Sequence, residues 1–245
     1  MDQSRRNFFK HVAVATTSVT AVGTTTTADA ASRPMGDDQH RWAMVVDIRK
    51  CIGCQACTVA CTMENVVPPG KFRTIVSNYE IQSNGETRNM VLPRLCNHCE
   101  NPPCIPVCPV QATYQRKDGI VVVDNERCVG CSYCVQACPY DARFINPETN
   151  TADKCTFCVH RVEAGLLPAC VETCVGGARI FGDLKDPESE ITKLIAKHAT
   201  RGLRPEMKTK PQVYYIGLDD RVSSKVEGTA SLWNPQAAIG EEEKS

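Results

Sequence analysis

The sequence predicts an α+β fold in which short strands and helices surround groups of cysteines. Three observations predict it. The run from Cys128 to Pro139 holds four cysteines separated by two, two and three residues, and it ends in proline. The same cysteine spacing recurs from Cys51 to Cys61, at an offset of 77 residues (128 − 51). Short β-branched runs and turn sequences fill the intervals, so we expect a duplicated module of short elements.

The cysteine count fits the spacing. All sixteen cysteines fall into four groups of four, with none left over. The groups are Cys51, Cys54, Cys57 and Cys61; Cys96, Cys99, Cys104 and Cys108; Cys128, Cys131, Cys134 and Cys138; and Cys155, Cys158, Cys170 and Cys174. The run C-x2-C-x2-C-x3-C-P binds cubane iron–sulfur clusters, and in two-cluster proteins its last cysteine reaches the neighbouring cube. Because each cube needs four thiolates, the sequence predicts four [4Fe–4S] clusters.

Two other uses of the cysteines compete with clusters. Structural zinc sites of four cysteines usually combine two separated C-x2-C pairs, whereas here the spacings overlap in one tight run. Disulfides suit an exported chain with an even number of cysteines. Eight bridges in so repetitive a spacing would be unusual, and iron–sulfur clusters remain the favoured interpretation.

Composition limits the class of protein. A chain of 245 residues corresponds to one or two domains. Its 28 basic and 28 acidic residues cancel, which argues against a nucleic-acid-binding protein. There is no glycine-rich nucleotide motif and no candidate catalytic residue. Because cysteines make up part of the 42% hydrophobic residues, we expect clusters to complete the core and the iron-free chain not to fold.

The N-terminus has the pattern of an export signal. Residues 1–30 contain the pair Arg5-Arg6, a weakly apolar stretch and the cleavage-like triplet Ala28-Asp29-Ala30. This pattern predicts a twin-arginine signal peptide, which exports a folded, cluster-loaded protein to the periplasm. Residues 31–41 form a polar linker. Because no apolar run is long enough to span a bilayer, we expect contact with a membrane only through a partner.

The elements are predicted in order from β-branched runs, turn sequences and helical periodicity. A β-hairpin is inserted after the first cysteine group, and a C-terminal helix precedes the last strand. The predicted strands are 42–48, 72–81, 90–95, 120–123, 143–145, 179–181 and 213–218; the predicted helices are 58–64 and 187–199, with Pro187 in the first turn; residues 221–245 form a polar tail.

Several charged and histidine side chains lie beside the cysteines in sequence. We interpret His98 and His160 as packed, hydrogen-bonded residues that tune a cluster, rather than as ligands or proton carriers. Four cations lie close to cysteines, namely Lys50, Arg127, Lys154 and Arg161. Positive charge near a cluster raises its potential by stabilising the more negative reduced form.

The motifs resemble those of one known family. The four groups, with eleven residues separating Cys158 from Cys170, and the segments 128–143 and 152–158 are similar to the electron-transfer subunits of molybdopterin oxidoreductases of the dimethyl-sulfoxide-reductase family. The resemblance covers about residues 42–220. It implies an inner two-cluster ferredoxin-like module at 96–139 and an outer module formed by 42–95 and 140–220, each built of short βαβ units.

The resemblance also implies how the ligands are shared. The expected quartets are Cys51, Cys54, Cys57 and Cys174; Cys61, Cys155, Cys158 and Cys170; Cys96, Cys99, Cys104 and Cys138; and Cys108, Cys128, Cys131 and Cys134. Some relatives lack the second cysteine of the third group and hold a three-iron cluster. Because Cys131 is present here, the resemblance implies four-iron clusters throughout.

The family further implies a non-catalytic role in a larger complex. A membrane subunit would oxidise quinol, and a molybdopterin subunit would reduce the terminal substrate. The segments 51–65, 72–74, 160–170 and 215–220 favour tetrathionate as that substrate. Arsenate, thiosulfate or polysulfide, dimethyl sulfoxide and nitrite remain the alternatives, and a zinc-stabilised interaction module is a remote one.

Overall fold

The computed structural model describes residues 33–83 and 86–224. The predicted signal peptide and most of the predicted polar tail lie outside these residues. The strands are β1 Trp42–Asp47, β2 Thr74–Ser83, β3 Glu86–Leu95, β4 Thr113–Gln115, β5 Val121–Val123, β6 Arg143–Ile145, β7 Ala152–Lys154, β8 Arg179–Asp183, β9 Thr200–Arg201 and β10 Val213–Ile216. The α-helices are α1 Ala56–Glu64, α2 Tyr133–Gln136, α3 Val159–Val162, α4 Ala169–Glu172, α5 Glu190–Lys197 and α6 Asp220–Ser223.

Among the described residues, the sheet with the most strands has four, in the order β8-β1-β10-β9. Its central strand β1 pairs antiparallel with β8 and parallel with β10. Successive side chains of a strand point to opposite faces, and both faces of β1 are buried. Ala43 and Val45 join an apolar cluster with Ile191 of α5. Met44 and Val46 join a second cluster that contains cysteines, so β1 separates a conventional core from a cysteine-lined one.

The predicted hairpin is present and is longer than the sequence indicated. Strands β2 and β3 pair antiparallel over ten residues each, from Thr74 opposite Leu95 to Ser83 opposite Glu86. Leu92 and Leu95 are buried against the cysteine-containing core, whereas the residues at the start of β3 are exposed. The base of the hairpin therefore contributes most to the core, and Ile81 of β2 adds a buried side chain nearer its tip.

Two very short ladders complete the strands. β4 pairs with β5 and β6 pairs with β7, each antiparallel and three residues long. Val121 and Ala152, one from each ladder, lie in a small buried cluster with Cys104 and Cys134. Cysteine side chains thus make up half of this fully buried cluster, as expected if clusters complete the core.

Some predicted boundaries were wrong, for local reasons. The C-terminal helix begins after Ser189, so Pro187 precedes the helix instead of lying in its first turn, and the helix ends where His198 becomes extended. Strand β10 ends at Ile216 because Gly217 adopts a φ of +81°. The predicted tail 221–245 begins later than expected: Val222 of α6 is buried, and the Asp219 carboxylate accepts the Arg221 N–H at 2.9 Å.

Within residues 33–83 and 86–224, no helix combines the length and the apolarity needed to cross a bilayer.

Candidate metal centres

The cysteine loops repeat one backbone conformation. Gly53 and Gly130, in the first gap of their groups, have φ values of +72° and +67°. Gln55 and Ser132, which immediately precede α1 and α2, have φ values of +60° and +65°. Left-handed residues at such spacing turn successive backbone N–H groups toward one point, a geometry that suits an anionic group. The sequence repeat is therefore also a repeat of local structure.

All sixteen cysteines lie within the described residues, and none of them forms a disulfide bond. Two of them, Cys54 and Cys131, are exposed, and both are the second cysteine of their group. Nine are buried, and the other five are intermediate. More than half of the cysteines are therefore buried in the interior of the fold.

In the described part of the chain, three cavities are each lined by four cysteines drawn from two different groups. One is lined by Cys51, Cys54, Cys57 and Cys174. Another is lined by Cys61, Cys155, Cys158 and Cys170. The third is lined by Cys96, Cys99, Cys104 and Cys138. A cube binds one thiolate at each of its four irons, so a cavity bordered by four thiols fits this group.

The remaining four cysteines are Cys108, Cys128, Cys131 and Cys134. Cys128 and Cys134 share a small apolar cluster with Cys104. Cys108 is partly buried, and Cys131 is exposed. The structure thus brings part of this set together, beside the cavity lined by Cys104.

The arrangement of the side chains can also be compared with that of a site for a single metal ion. In the described part of the chain, no three Cys, His, Asp or Glu side chains are arranged to hold one metal ion.

Backbone N–H groups donate to several of the cysteine sulfurs. The N–H of Ala112 donates to Cys108 Sγ and that of Ala178 to Cys174 Sγ, both at 3.2 Å. The N–H of Ala152 donates to Cys128 Sγ at 3.3 Å. Such bonds favour a thiolate over a thiol and raise cluster potential.

A side chain takes the place of this backbone donor in the first group. The Asn65 amide donates to Cys61 Sγ at 3.6 Å and lies 3.8 Å from Cys158 Sγ, two sulfurs that line the same cavity. Sequence reasoning missed Asn65. Its signal was its position four residues after the last cysteine of the group, where the other groups carry alanine.

Burial opposes ionisation of the thiols. It raises the pKa of Cys61 and of Cys99 to about 12, and that of Cys104 to about 11. Neighbouring thiols raise the pKa of Cys61 and Cys99 further. These thiols are protonated in the iron-free chain at neutral pH, so binding of a cluster must release protons.

Buried cations face the thiols. Arg143, Lys154 and Arg179 are at most 4% exposed. The Arg143 guanidinium donates to Cys104 Sγ at 3.0 Å. Lys154 Nζ donates to the carbonyls of Val121 and Cys155. Because a buried cation is costly without an anion nearby, these residues are suited to balance the negative charge of thiolate-bound clusters.

The four cationic side chains singled out in the sequence lie in different environments. Lys154 is buried beside thiols as described, whereas Lys50 is exposed. Arg127 pairs with Asp124 at 3.2 Å and Arg161 with Glu64 at 3.0 Å, so carboxylates offset their charges. Sequence reasoning missed Arg143 and Arg179, which follow Cys138 and Cys174 by five residues.

Both histidines singled out make hydrogen bonds. His98 is buried, stacks on Phe157 with ring centroids 3.8 Å apart, and accepts the Val121 N–H at Nδ1 at 3.1 Å. Burial, followed by Lys154 and Arg143, lowers the pKa of His98 well below its usual value. His160 lies at the surface and pairs with Glu64 at 2.8 Å.

Comparison with known protein families agrees with this geometry. Residues 50–112 and residues 87–184 each match a model described as a 4Fe-4S dicluster domain. The chain is 59% identical over 241 residues to a tetrathionate reductase subunit of Salmonella typhimurium, covering 95% of this chain and 96% of that protein. It is 44% identical over 191 residues to a tetrathionate reductase subunit of Archaeoglobus fulgidus, covering 75% and 89%. The iron-sulfur subunit of a putative dimethyl sulfoxide reductase of Halobacterium salinarum is 45% identical over 205 residues, covering 71% and 78%.

The fold and the thiol-lined cavities define a ferredoxin-type iron–sulfur protein of mixed helix and strand content. The chain belongs to the family of iron–sulfur subunits of oxidoreductases that includes these tetrathionate reductase subunits of Salmonella and Archaeoglobus. The resemblance inferred from the cysteine motifs is therefore confirmed.

Proposed function

We propose that this chain is a non-catalytic electron-transfer subunit that carries electrons through four [4Fe–4S] clusters. The electrons would come from a membrane subunit that oxidises quinol and go to a molybdopterin subunit that reduces tetrathionate. The observation that carries the proposal is the set of three cavities, each lined by four cysteines from two groups. When bound, each cube accepts and passes on one electron at a time.

The proposed ligand sets are the three cavity-lining quartets together with Cys108, Cys128, Cys131 and Cys134. In each of the three cavities, three cysteines come from one group and the fourth comes from another, and this pattern supports the proposed ligand sets. Cys174 lies with the first group and Cys61 with the fourth; in the same way, Cys138 lies with the second group. We call the quartets that contain Cys57 and Cys170 the outer pair, and those that contain Cys104 and Cys134 the inner pair.

Proximity of thiols in different quartets supports a linear order of clusters. Cys57 and Cys170, one from each outer quartet, belong to one buried cluster, and Cys57 contributes to the raised pKa of Cys170. Cys155 of the outer pair and Cys96 of the inner pair belong to the same cluster, and Cys96 contributes to the raised pKa of Cys155. The order then runs from the Cys57 quartet, through the Cys170 and Cys104 quartets, to the Cys134 quartet. In this arrangement the protein holds neighbouring clusters close and in a fixed sequence.

We propose the same two-module organisation that the sequence indicated, with residues 96–139 as the inner module and 42–95 with 140–220 as the outer one. The order strand, helix, strand in β5, α2 and β6, and the matched φ values before α1 and α2, support a duplicated module. Because export of a folded, cluster-loaded protein fits the arginine pair at Arg5-Arg6, we propose that the protein works in the periplasm.

Tetrathionate is the favoured terminal substrate because the relative from Salmonella matches along nearly the whole chain. Two electrons would split the central S–S bond to give two thiosulfates, in the partner subunit. The runner-up is the same relay with another terminal reductase, such as one for dimethyl sulfoxide, and the name of the Halobacterium relative supports it.

The test is a Cys57→Ser variant in the assembled complex, followed by two assays. We expect quinol-driven reduction of tetrathionate to fall at least tenfold, because the relay has lost a ligand. Reduction driven by a dye that donates directly to the catalytic subunit of the same complex should be unchanged. Iron and acid-labile sulfide, measured without air, report how many clusters remain.

The matched control is Ile52→Ser, which changes an exposed, non-ligand side chain in the same loop. It should leave both assays at the wild-type level. A colourless wild-type protein without iron and sulfide would refute the proposal. Equal loss of both activities in Cys57→Ser would refute the relay role.

A further inference from the structure

Two arginines occupy matching positions after the last cysteine of the third and fourth groups. Arg143 follows Cys138, and Arg179 follows Cys174, by five residues, and an alanine precedes each. Each arginine begins a strand, β6 or β8. The backbone N–H of the preceding alanine bonds to the cysteine sulfur in both segments. The same local structure thus delivers both guanidinium groups to the interior.

Both arginines are buried without a carboxylate partner in the described part of the chain. They are 4% and 3% exposed, respectively. Their oxygen partners are hydroxyls: Arg143 donates to Thr113 Oγ1 at 3.3 Å, and Arg179 donates to Thr74 Oγ1 at 2.8 Å. Nε and Nη1 of Arg179 have no hydrogen-bond partner among the described residues. Removing a cation from water without an anion is strongly unfavourable, so a negative group must lie nearby.

Each arginine lies near thiols of two quartets. Arg143 donates to Cys104 Sγ of one inner quartet at 3.0 Å, and Cys104 shares a buried cluster with Cys134 of the other. Arg179 lines the cavity that contains Cys57 of one outer quartet, and Cys57 shares a buried cluster with Cys170 of the other. Each guanidinium therefore lies close to thiols of its own pair of quartets.

We propose that each arginine is the shared counter-charge of one pair of clusters, Arg179 for the outer pair and Arg143 for the inner pair, and that it sets both potentials of that pair. The proposal rests on the proposed relay function. Reduction adds one electron, and hence one negative charge, to a cluster. A fixed cation nearby stabilises the reduced form more than the oxidised form and so raises the midpoint potential. The arginines are positioning residues, since they ligate no iron.

The test uses the complete complex with Arg179→Gln or Arg143→Gln. The midpoint of each cluster is measured by redox titration followed by electron paramagnetic resonance. In each variant we expect two of the four midpoints to fall, each by a tenfold change in the ratio of reduced to oxidised cluster, or about 59 mV for one electron. The two midpoints that fall in one variant should be the two that stay fixed in the other.

Charge-retaining variants separate the charge from the packing. Arg179→Lys and Arg143→Lys should keep the midpoints close to wild type. If a glutamine variant loses clusters, retention of all four clusters by its lysine counterpart supports the proposal, and loss in both overturns it. Unchanged midpoints in loaded glutamine variants, or the same two clusters shifting in both, also overturn it.

The matched control is Arg116→Gln. Arg116 is also buried, but Asp118 and Glu163 pair with it at 3.0 and 2.7 Å. It should move no midpoint, and a shift as large as that of Arg179→Gln would overturn the proposal. Failure of the relay function itself has a different signature, namely a wild-type protein without iron and sulfide.

Discussion

The regions around the outer and inner pairs of quartets are built differently. The outer cavities lie against the four-stranded sheet: Met44 of β1 lines one cavity and Arg179 of β8 lines the other. The inner cavity contacts the two short ladders, through Val121 of β5 and Arg143 of β6. An apolar cluster free of cysteine supports the outer region from behind the sheet. The inner region has no sheet of that size in the described residues, and its buried cluster includes cysteines.

This difference teaches how a chain with a thin apolar core can fold. A sheet of four strands with a helix on one face buries apolar surface without help from the cysteines, so part of its strand pairing should persist in the iron-free chain. Ladders of three residues do not, so their stability has to come from the clusters that join them. We therefore expect the inner region to depend on iron more completely than the outer region.

Among the changes that test this difference between the two regions, removal of iron should have the largest effect. We expect the iron-free chain to show no cooperative unfolding transition, because iron–sulfur clusters no longer connect the cysteine loops. Hydrogen exchange should be fast throughout β4 to β7 but measurably slower in β1 and β10, where backbone pairing and an apolar core persist. Mass spectrometry of peptides after exchange measures both, and equal protection in the two regions would contradict the comparison.

The second largest effect should come from truncation of one buried isoleucine in each region. Ile191 packs behind the sheet and Ile120 lies beside β5, and both are fully buried. Each change to alanine should lower the free energy of unfolding by about 2–5 kcal/mol. Only Ile120→Ala should also lower the iron content of the purified protein, because it loosens the inner region.

The matched controls are Ile120→Val and Ile191→Val, which should each cost about 0.5–1.5 kcal/mol and leave iron content unchanged. Denaturant unfolding without air, with iron analysis of the same samples, gives both quantities. The comparison would be wrong if Ile191→Ala lost as much iron as Ile120→Ala.

A pH effect confined to the outer region should be the smallest. His40 hydrogen-bonds Asp183 of β8 at 2.8 Å, and this bond raises the pKa of the histidine above its usual value. Protonated His40 therefore stabilises the fold below about pH 6.5, the ordinary histidine pKa. This contribution is lost as the pH rises through the raised folded-state pKa.

Because the His40 side chain is 43% exposed, the contribution should be below about 1 kcal/mol. The difference in unfolding free energy between wild type and His40→Gln should shrink between pH 6 and pH 8. A difference that does not vary with pH would contradict the role of the ion pair.

The sequence predicted the elements that depend on local rules. The cysteine loops, β1, the hairpin and the short strands at 121–123 and 143–145 follow from spacing, β-branched runs and turn residues. Ends of elements were less predictable, because they depend on tertiary contacts. Val222, for example, is buried by the rest of the fold although its neighbours in sequence are polar.

In the candidate site, too, some features follow from the local sequence and others depend on tertiary contacts. The spacing of the sixteen cysteines predicts which residues are candidate ligands and how many clusters they could hold. It does so because a cube needs thiolates at fixed short intervals. Which cysteine of one group joins three of another, and which arginines are buried close to the quartets, depends on contacts between residues far apart in the chain. Only the tertiary structure decides these, because the burial of a charge and its distance from a sulfur are properties of the packed chain and not of its local sequence.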